Sequence, residues 1–174
     1  MGKRALVGAL LLAVLVVLVA GAGCRRGEAG PPGSATVVRV VDGDTIVLRL
    51  GGADESVRLI GIDTPETRGP GGLRECFGAE ATRHMEGLLP QGTRVTVVRD
   101  VDARDRYGRL LAYVHRADDD LFVNLAMARD GYAAALTVPP NVAHAERFVA
   151  AAGEARRAGR GLWSACGGPD TAIP

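Results

Sequence analysis

The sequence predicts an α+β domain, mainly β: a small closed barrel of five strands with about three helices. Three observations carry this. Five short stretches are β-branched or apolar, and the first four end at Gly or Asp. The first three of them are joined by turns short enough for a meander. Helical spacing enters only between the third and fourth stretches and again near the C-terminus. Closing so small a sheet into an OB-type barrel removes its exposed edges.

The elements follow in order. Ala35 to Val41 alternates and reads as the first strand. Asp42-Gly43 is a hairpin dipeptide, and Thr45 to Leu50 is the returning strand. Gly51-Gly52-Ala53-Asp54 makes another turn into a third strand, Ser56 to Ile62. Thr64 to Gly72 is rich in Pro and Gly and reads as loop. From Glu75 or Phe77 to Leu89, Phe77, Ala81, Met85, Leu88 and Leu89 recur on one helical face, and Pro90 and Gly92 stop it. Thr93 to Val101 and Leu110 to His115 are the last two strands. Leu121 to Asp130 is a short helix with Gly131 at its C-terminal end. Thr137 to Asn141 is loop, Asn141 caps a last helix to about Ala158, and an irregular tail from Gly159 carries Trp163.

With 47% hydrophobic and 24% charged residues, the chain is neither disordered nor fibrous. Aromatics are only 4%, so the core must be built mainly from Val, Leu, Ile and Ala. The net charge is +1. Without Lys3 and Arg4, 19 of the 21 basic residues stand against 20 acidic ones. Bulk charge therefore does not mark a nucleic-acid binder; a polyanion would need a local cluster and a metal.

Met1 to Arg4 is short and basic, Ala5 to Ala22 is apolar, and Cys24 follows. This is the pattern of an export signal over residues 1–23. Ala20-Gly21-Ala22 fits an ordinary cleavage site, Gly21-Ala22-Gly23-Cys24 resembles a lipoprotein box that would lipidate Cys24, and the run also suits a retained anchor. The lipoprotein reading is favoured, which places the protein outside the cell, held at the membrane through that lipid, or secreted. Residues 24–33 read as a linker, 34–166 as the domain and 167–174 as a tail. If Cys24 carries lipid, Cys76 and Cys166 remain as a pair, expected as a disulfide rather than two free thiols.

Three polar clusters stand out. Asp42-Gly43-Asp44-Thr45 is a turn, yet a turn does not explain the second carboxylate, Asp44. Arg58 lies within the apolar run VRLIGI, where burial is costly without a partner. Strict alternation sets Arg58 and Asp63 on opposite faces, unless the strand bends near Gly61. Asp105-Arg106-Tyr107-Gly108-Arg109 is a polar turn. Together they suit phosphate chemistry. Asp44 and Asp63 offer hard oxygen ligands for Ca²⁺, Glu66 is placed to activate a water, and Arg58 and Arg109 can grip a phosphate.

VDGDT, VRLIGIDTPET and DRYGR, in this order and spacing, with GLW near the C-terminus, resemble the staphylococcal nuclease (thermonuclease) family from about Ser34 to Trp163. The resemblance implies an OB-fold barrel with three helices. It also implies a Ca²⁺-dependent phosphodiesterase that cuts DNA and RNA with little sequence preference and leaves 3′-phosphate ends. On these motifs Asp44 and Asp63 match side-chain Ca²⁺ ligands, and Thr64 matches the backbone-carbonyl ligand. Arg58, Glu66 and Arg109 match the catalytic set; Arg106 and Tyr107 match the substrate-binding turn. Two departures are evident. Leu136 and Val138 stand where the family pattern has tyrosines before Pro139-Pro140-Asn141, and the loop after Glu66 is Gly-rich rather than Lys-rich. Two other readings compete with an exported nuclease: a non-catalytic OB module binding nucleic acid or protein, and a structural envelope lipoprotein. A monomer is expected.

Overall fold

The computed structural model describes residues 33–67 and 74–173. The export signal, Cys24 and all but the last residue of the linker lie outside the described residues, as does the middle of the loop after Thr67.

Strand β1 (Ser34–Val40) turns at Asp42-Gly43 into β2 (Thr45–Leu50). Gly51 and Gly52 then take φ +59° and +90°, the left-handed pair a two-residue hairpin demands, and β3 (Ala53–Leu59) returns. Ala53 and Asp54 therefore belong to the strand rather than to the turn. Two residues on, β4 (Ile62–Asp63) pairs elsewhere, and β5 (Arg74–Glu75) precedes helix α1 (Gly78–Leu88). Strands β6 (Arg94–Val98) and β7 (Leu110–Arg116) follow, then α2 (Val123–Arg129) and β8 (Ala134–Ala135). Helix α3 (Ala145–Arg157), the short α4 (Leu162–Ala165) and β9 (Ala172–Ile173) complete the chain.

The sheet is a closed barrel in the order β1-β2-β3-β7-β6, the five-stranded OB-type arrangement. The parallel pair β3–β7 and the antiparallel pair β1–β6 make the closure. Its interior is mainly aliphatic, with Val37, Ile46, Leu48, Val57 and Leu59 almost fully buried, and Tyr113 of β7 is buried with them. Helix α1 adds Ala81 and Met85, and Phe148 from α3 closes the core at 1% exposure. A buried Phe of this kind contributes about 2–3 kcal/mol.

Several expectations are corrected. The third strand breaks after Leu59 because Gly61 takes φ +87°, a turn only glycine adopts without strain. A Cβ at position 61 would also collide with the edge atoms Cδ2, Cε2 and Cζ of the Phe148 ring, so the site needs glycine twice over. Asn141 does not cap α3, whose cap is His144; its side chain instead accepts from Asp102 N at 2.8 Å and donates to Asp102 O at 3.0 Å. The tail is not irregular throughout, since it holds α4 and β9. The fourth strand is shorter than expected, ending at Val98. Gly131 does take the left-handed conformation after α2, with its N–H donating to Ala128 O.

The pairing of Cys76 with Cys166 is present as a disulfide with Cα atoms 6.0 Å apart. Asn124 is fully buried and fully satisfied: it accepts from Val114 N and donates to Ile60 O and Ala112 O, pinning the end of β3 to β7.

Candidate active site

The site lies where the β1–β2 turn, the end of β3 and the β6–β7 turn meet. Gly43 makes the first part: a Cβ there would come within 2.9 Å of Thr64 and Ala81, so only glycine lets the turn settle against them. Asp42 stiffens the turn by accepting the Asp44 N–H at 3.1 Å. Asp44 is then 3% exposed. Its Oδ2 accepts the Thr64 N–H at 3.1 Å, and its Oδ1 accepts the Thr45 hydroxyl at 3.1 Å.

Arg58 answers this carboxylate. It faces Thr45 across the β2–β3 ladder, and its side chain is only 14% exposed. Nη2 lies 2.9 Å from Asp44 Oδ2 and 2.9 Å from Asp63 Oδ1. Nη1 donates to Leu59 O at 2.7 Å and to Ile62 O at 2.9 Å. The two carbonyls flank the Gly61 bend, so the bend and the guanidinium hold each other. This is how a residue that alternation sets on the opposite face joins Arg58: Asp63 crosses because the strand breaks.

The carboxylates crowd one another. Burial pushes the Asp44 carboxyl well above its usual range; Arg58 opposes this, Asp42 and Asp63 add to it, and the Thr64 N–H opposes it. Asp63 is raised chiefly by burial, against Arg58, with Asp170, Glu75 and Asp42 adding. Glu66 is exposed overall, yet its carboxyl is raised by partial burial, then by Asp42 and Glu75, against Arg58, with Asp63 adding. A buried carboxylate among acidic neighbours with one guanidinium is short of positive charge. An all-oxygen donor set of this kind fits a hard divalent cation. Among the described residues no three His, Cys, Asp or Glu side chains converge tightly enough to hold a metal alone. Carbonyl, water or phosphate oxygens must therefore complete the shell.

The β6–β7 turn supplies the other wall. Asp105 accepts the backbone N–H groups of Tyr107 and Arg109, both at 2.9 Å, and its Oδ2 accepts Arg109 Nε at 2.7 Å. Arg109 Nη1 reaches Thr45 Oγ1 at 3.5 Å, so Thr45 links Arg109 to Asp44. Tyr107 is 69% exposed and stands between two guanidinium groups, Arg106 at 4.8 Å and Arg109 at 5.5 Å from its ring centroid. Beyond it opens a cleft of about 530 Å³, whose far wall is Leu136, Val138 and Pro139.

Asp44, Arg58, Asp63 and Thr64 are thus in direct contact, Arg109 joins them through Thr45, and Arg106 and Tyr107 line the adjoining cleft. Sequence reasoning gave no role in the site to Thr45, Asp105 or Glu75, which fasten the others, and assigned Asn141 to a helix cap rather than to Asp102. Asp105 had a signal, since an Asp two residues before a Tyr-Gly turn tip is a turn former. The others act through contacts remote in the chain.

Comparison with known proteins places the chain in a family. The family model for Staphylococcal nuclease homologue matches residues 56–165. The thermonuclease of Staphylococcus intermedius is 34% identical over 168 residues, covering 92% of this chain and 98% of that protein. The thermonuclease of Staphylococcus hyicus is 36% identical over 128 residues, 74% of each chain. The endonuclease YncB of Bacillus subtilis (strain 168) is 33% identical over 135 residues, covering 77% of this chain and 63% of that one. With a family match over residues 56–165, more than half of the chain, and such identity along nearly the whole chain, this protein belongs to the staphylococcal nuclease family.

Proposed function

We propose that the protein is an endonuclease: a Ca²⁺-dependent phosphodiesterase that hydrolyses DNA and RNA with little sequence preference and leaves 3′-phosphate ends. One observation carries the reading: a nearly buried guanidinium, Arg58, bridges two carboxylates, Asp44 and Asp63, at the rim of a cleft flanked by a second arginine. The relatives named thermonuclease and endonuclease support the same class of activity.

Asp44, Asp63 and the Thr64 carbonyl would hold the Ca²⁺, which when bound supplies positive charge against the scissile phosphate. Arg58 and Arg109 bind the non-bridging phosphate oxygens and stabilise the charge that grows on them in the transition state. Glu66 orients a water and takes its proton as the water oxygen bonds to phosphorus. The bond from phosphorus to the 5′ oxygen breaks, that oxygen takes a proton from solvent, and the phosphate stays on the 3′ side. Arg106 and Tyr107 offer a cation and an aromatic face to the neighbouring nucleotide. Export, with Cys24 acylated, completes the reading and places the activity outside the cell.

Digestion of DNA and RNA by the full chain, with Ca²⁺ or with excess chelator, tests it. Cleavage only with Ca²⁺ and 3′-phosphate ends by mass spectrometry are expected. Full cleavage in chelator, or binding without cleavage, would overturn it.

A further inference from the structure

Glu66 is exposed, so the aim of its carboxylate depends on how firmly its backbone is held. Two hydrogen bonds to one residue hold it. Glu75 N donates to Glu66 O at 3.0 Å, and Glu66 N donates to the Glu75 carboxylate, Oε2, at 2.7 Å. The start of α1 presses on the same place: a Cβ on Gly78 would come within 3.0 Å of Glu66 O and Pro65 O.

Glu75 is itself held from the other side. Strand β5 pairs with β9, Arg74 opposite Ile173 and Glu75 opposite Ala172. Cys76 N donates to Thr171 O at 2.7 Å, and the Cys76–Cys166 disulfide binds the root of this tail covalently to the residue after Glu75. Two two-residue strands far apart in the chain have little to keep them together by themselves. The crosslink supplies the proximity.

Glu75 also stands among like charges, since Asp63 and Glu66 both feel its carboxylate. A side chain that served only to fill space there would be better neutral. Its carboxylate is used instead as the acceptor for the Glu66 N–H, a strong hydrogen bond of charged character.

We propose that Glu75 is a positioning residue for Glu66, and that the tail strand fastened by the Cys76–Cys166 disulfide holds Glu75 in place. The proposal rests on the reading of Glu66 as the group that activates water. A misplacement of about 1 Å at such a group costs about 100-fold in rate, so a backbone clamp is worth having.

The test uses the full chain carrying Glu75→Leu, Glu75→Gln or the pair Cys76→Ser/Cys166→Ser, each checked for a folded state by thermal unfolding; Glu75→Ala replaces Glu75→Leu if the latter does not fold. Two quantities are read: hydrogen exchange of the Glu66 amide by NMR, and kcat and KM for DNA at saturating Ca²⁺. Glu75→Leu is expected to speed exchange at Glu66 and to lower kcat about tenfold or more while KM stays within about twofold. Glu75→Gln keeps a neutral oxygen acceptor and is expected to recover kcat to within about threefold of the parent. The cysteine pair is expected to move both readouts in the same direction, by less. In a Glu66→Gln background, Glu75→Leu is expected to cost nothing further in kcat.

Unchanged exchange at Glu66 in Glu75→Leu, or an equal kcat loss in the Glu66→Gln background, would overturn the role of Glu75. Unchanged exchange and kcat in the cysteine pair would overturn the role of the crosslink. Undiminished kcat in Glu66→Gln alone would instead sink the reading of Glu66, and the amide exchange would still decide the clamp.

Discussion

Replacing Gly61 by Ala should cost stability and activity together. Position 61 has φ +87°, and an alanine held in the left-handed region is strained by about 1–2 kcal/mol. Its methyl would also collide with the Phe148 ring, which at 1% exposure has no room to swing away. Overpacking of that kind costs about 1–3 kcal/mol. The sum is a loss of about 2–5 kcal/mol, a large share of the stability of a small domain. Urea unfolding followed by circular dichroism would measure it. Pairing the change with Phe148→Leu separates the two causes, because the shortened side chain removes the ring atoms in the way. The double variant should then lose less than the two single losses together, by about 1–2 kcal/mol. Strict additivity would refute the collision, and a Gly61→Ala variant within about 0.5 kcal/mol of the parent would refute the whole argument. In the folded fraction kcat should fall as well, since the bend is what carries Asp63 to Arg58.

Other outcomes follow from the same geometry. Arg58→Lys should lower kcat by about tenfold or more, because an ammonium cannot span Asp44, Asp63 and two carbonyls at once; steady-state kinetics on DNA checks it. Asp44→Ala should weaken Ca²⁺ binding in the presence of a nucleotide, read by calorimetry. Removing the disulfide should lower the Tm by about 10 °C or more, since its ends are 90 residues apart and such a crosslink is worth about 4–5 kcal/mol in the chain-entropy account; calorimetry with and without reductant decides. Asp100 accepts from Ala143 N, Tyr113 OH and Val101 N, and these bonds, led by that from Ala143, hold its carboxyl below the usual range. Its folded value is the lower one, so its stabilisation is present above the ordinary carboxylate range and is lost as pH falls through the folded value. Asp100→Asn should therefore be less stable than the parent at neutral pH, with the gap closing in acid, by unfolding at a series of pH values.

What could be read from the chain and what could not divides along sequence distance. The β1–β2 and β2–β3 hairpins are written in Asp42-Gly43 and Gly51-Gly52, because turn chemistry is local. The α1 face is equally local: Ala81 and Met85 recur at helical spacing and are buried as the spacing requires. Arg58 was visible as a charge out of place in an apolar strand. Its partners were not, because alternation along one strand says nothing of a break at Gly61, where Phe148 from α3 packs against the bare glycine. Thr45 and Glu75 are silent for the same reason, and Asn141 reads as a helix cap, because each acts on a residue brought near by the fold. The parallel seam between β3 and β7 leaves no local mark at all.

That seam has a consequence for how the chain reaches this state. Val57 must find Leu110 and Ala35 must find Val95 before the barrel has no free edge. Loop entropy is spent on both encounters before much surface is buried, so barrel formation falls among slow, topology-limited reactions, milliseconds to seconds rather than microseconds. Until Leu110 is available, the β1–β3 meander carries unpaired edges on both sides, a template for pairing with other chains. A fragment that stops short of β7 should aggregate rather than remain a smaller soluble domain, and the full chain should refold best where encounters between molecules are rare.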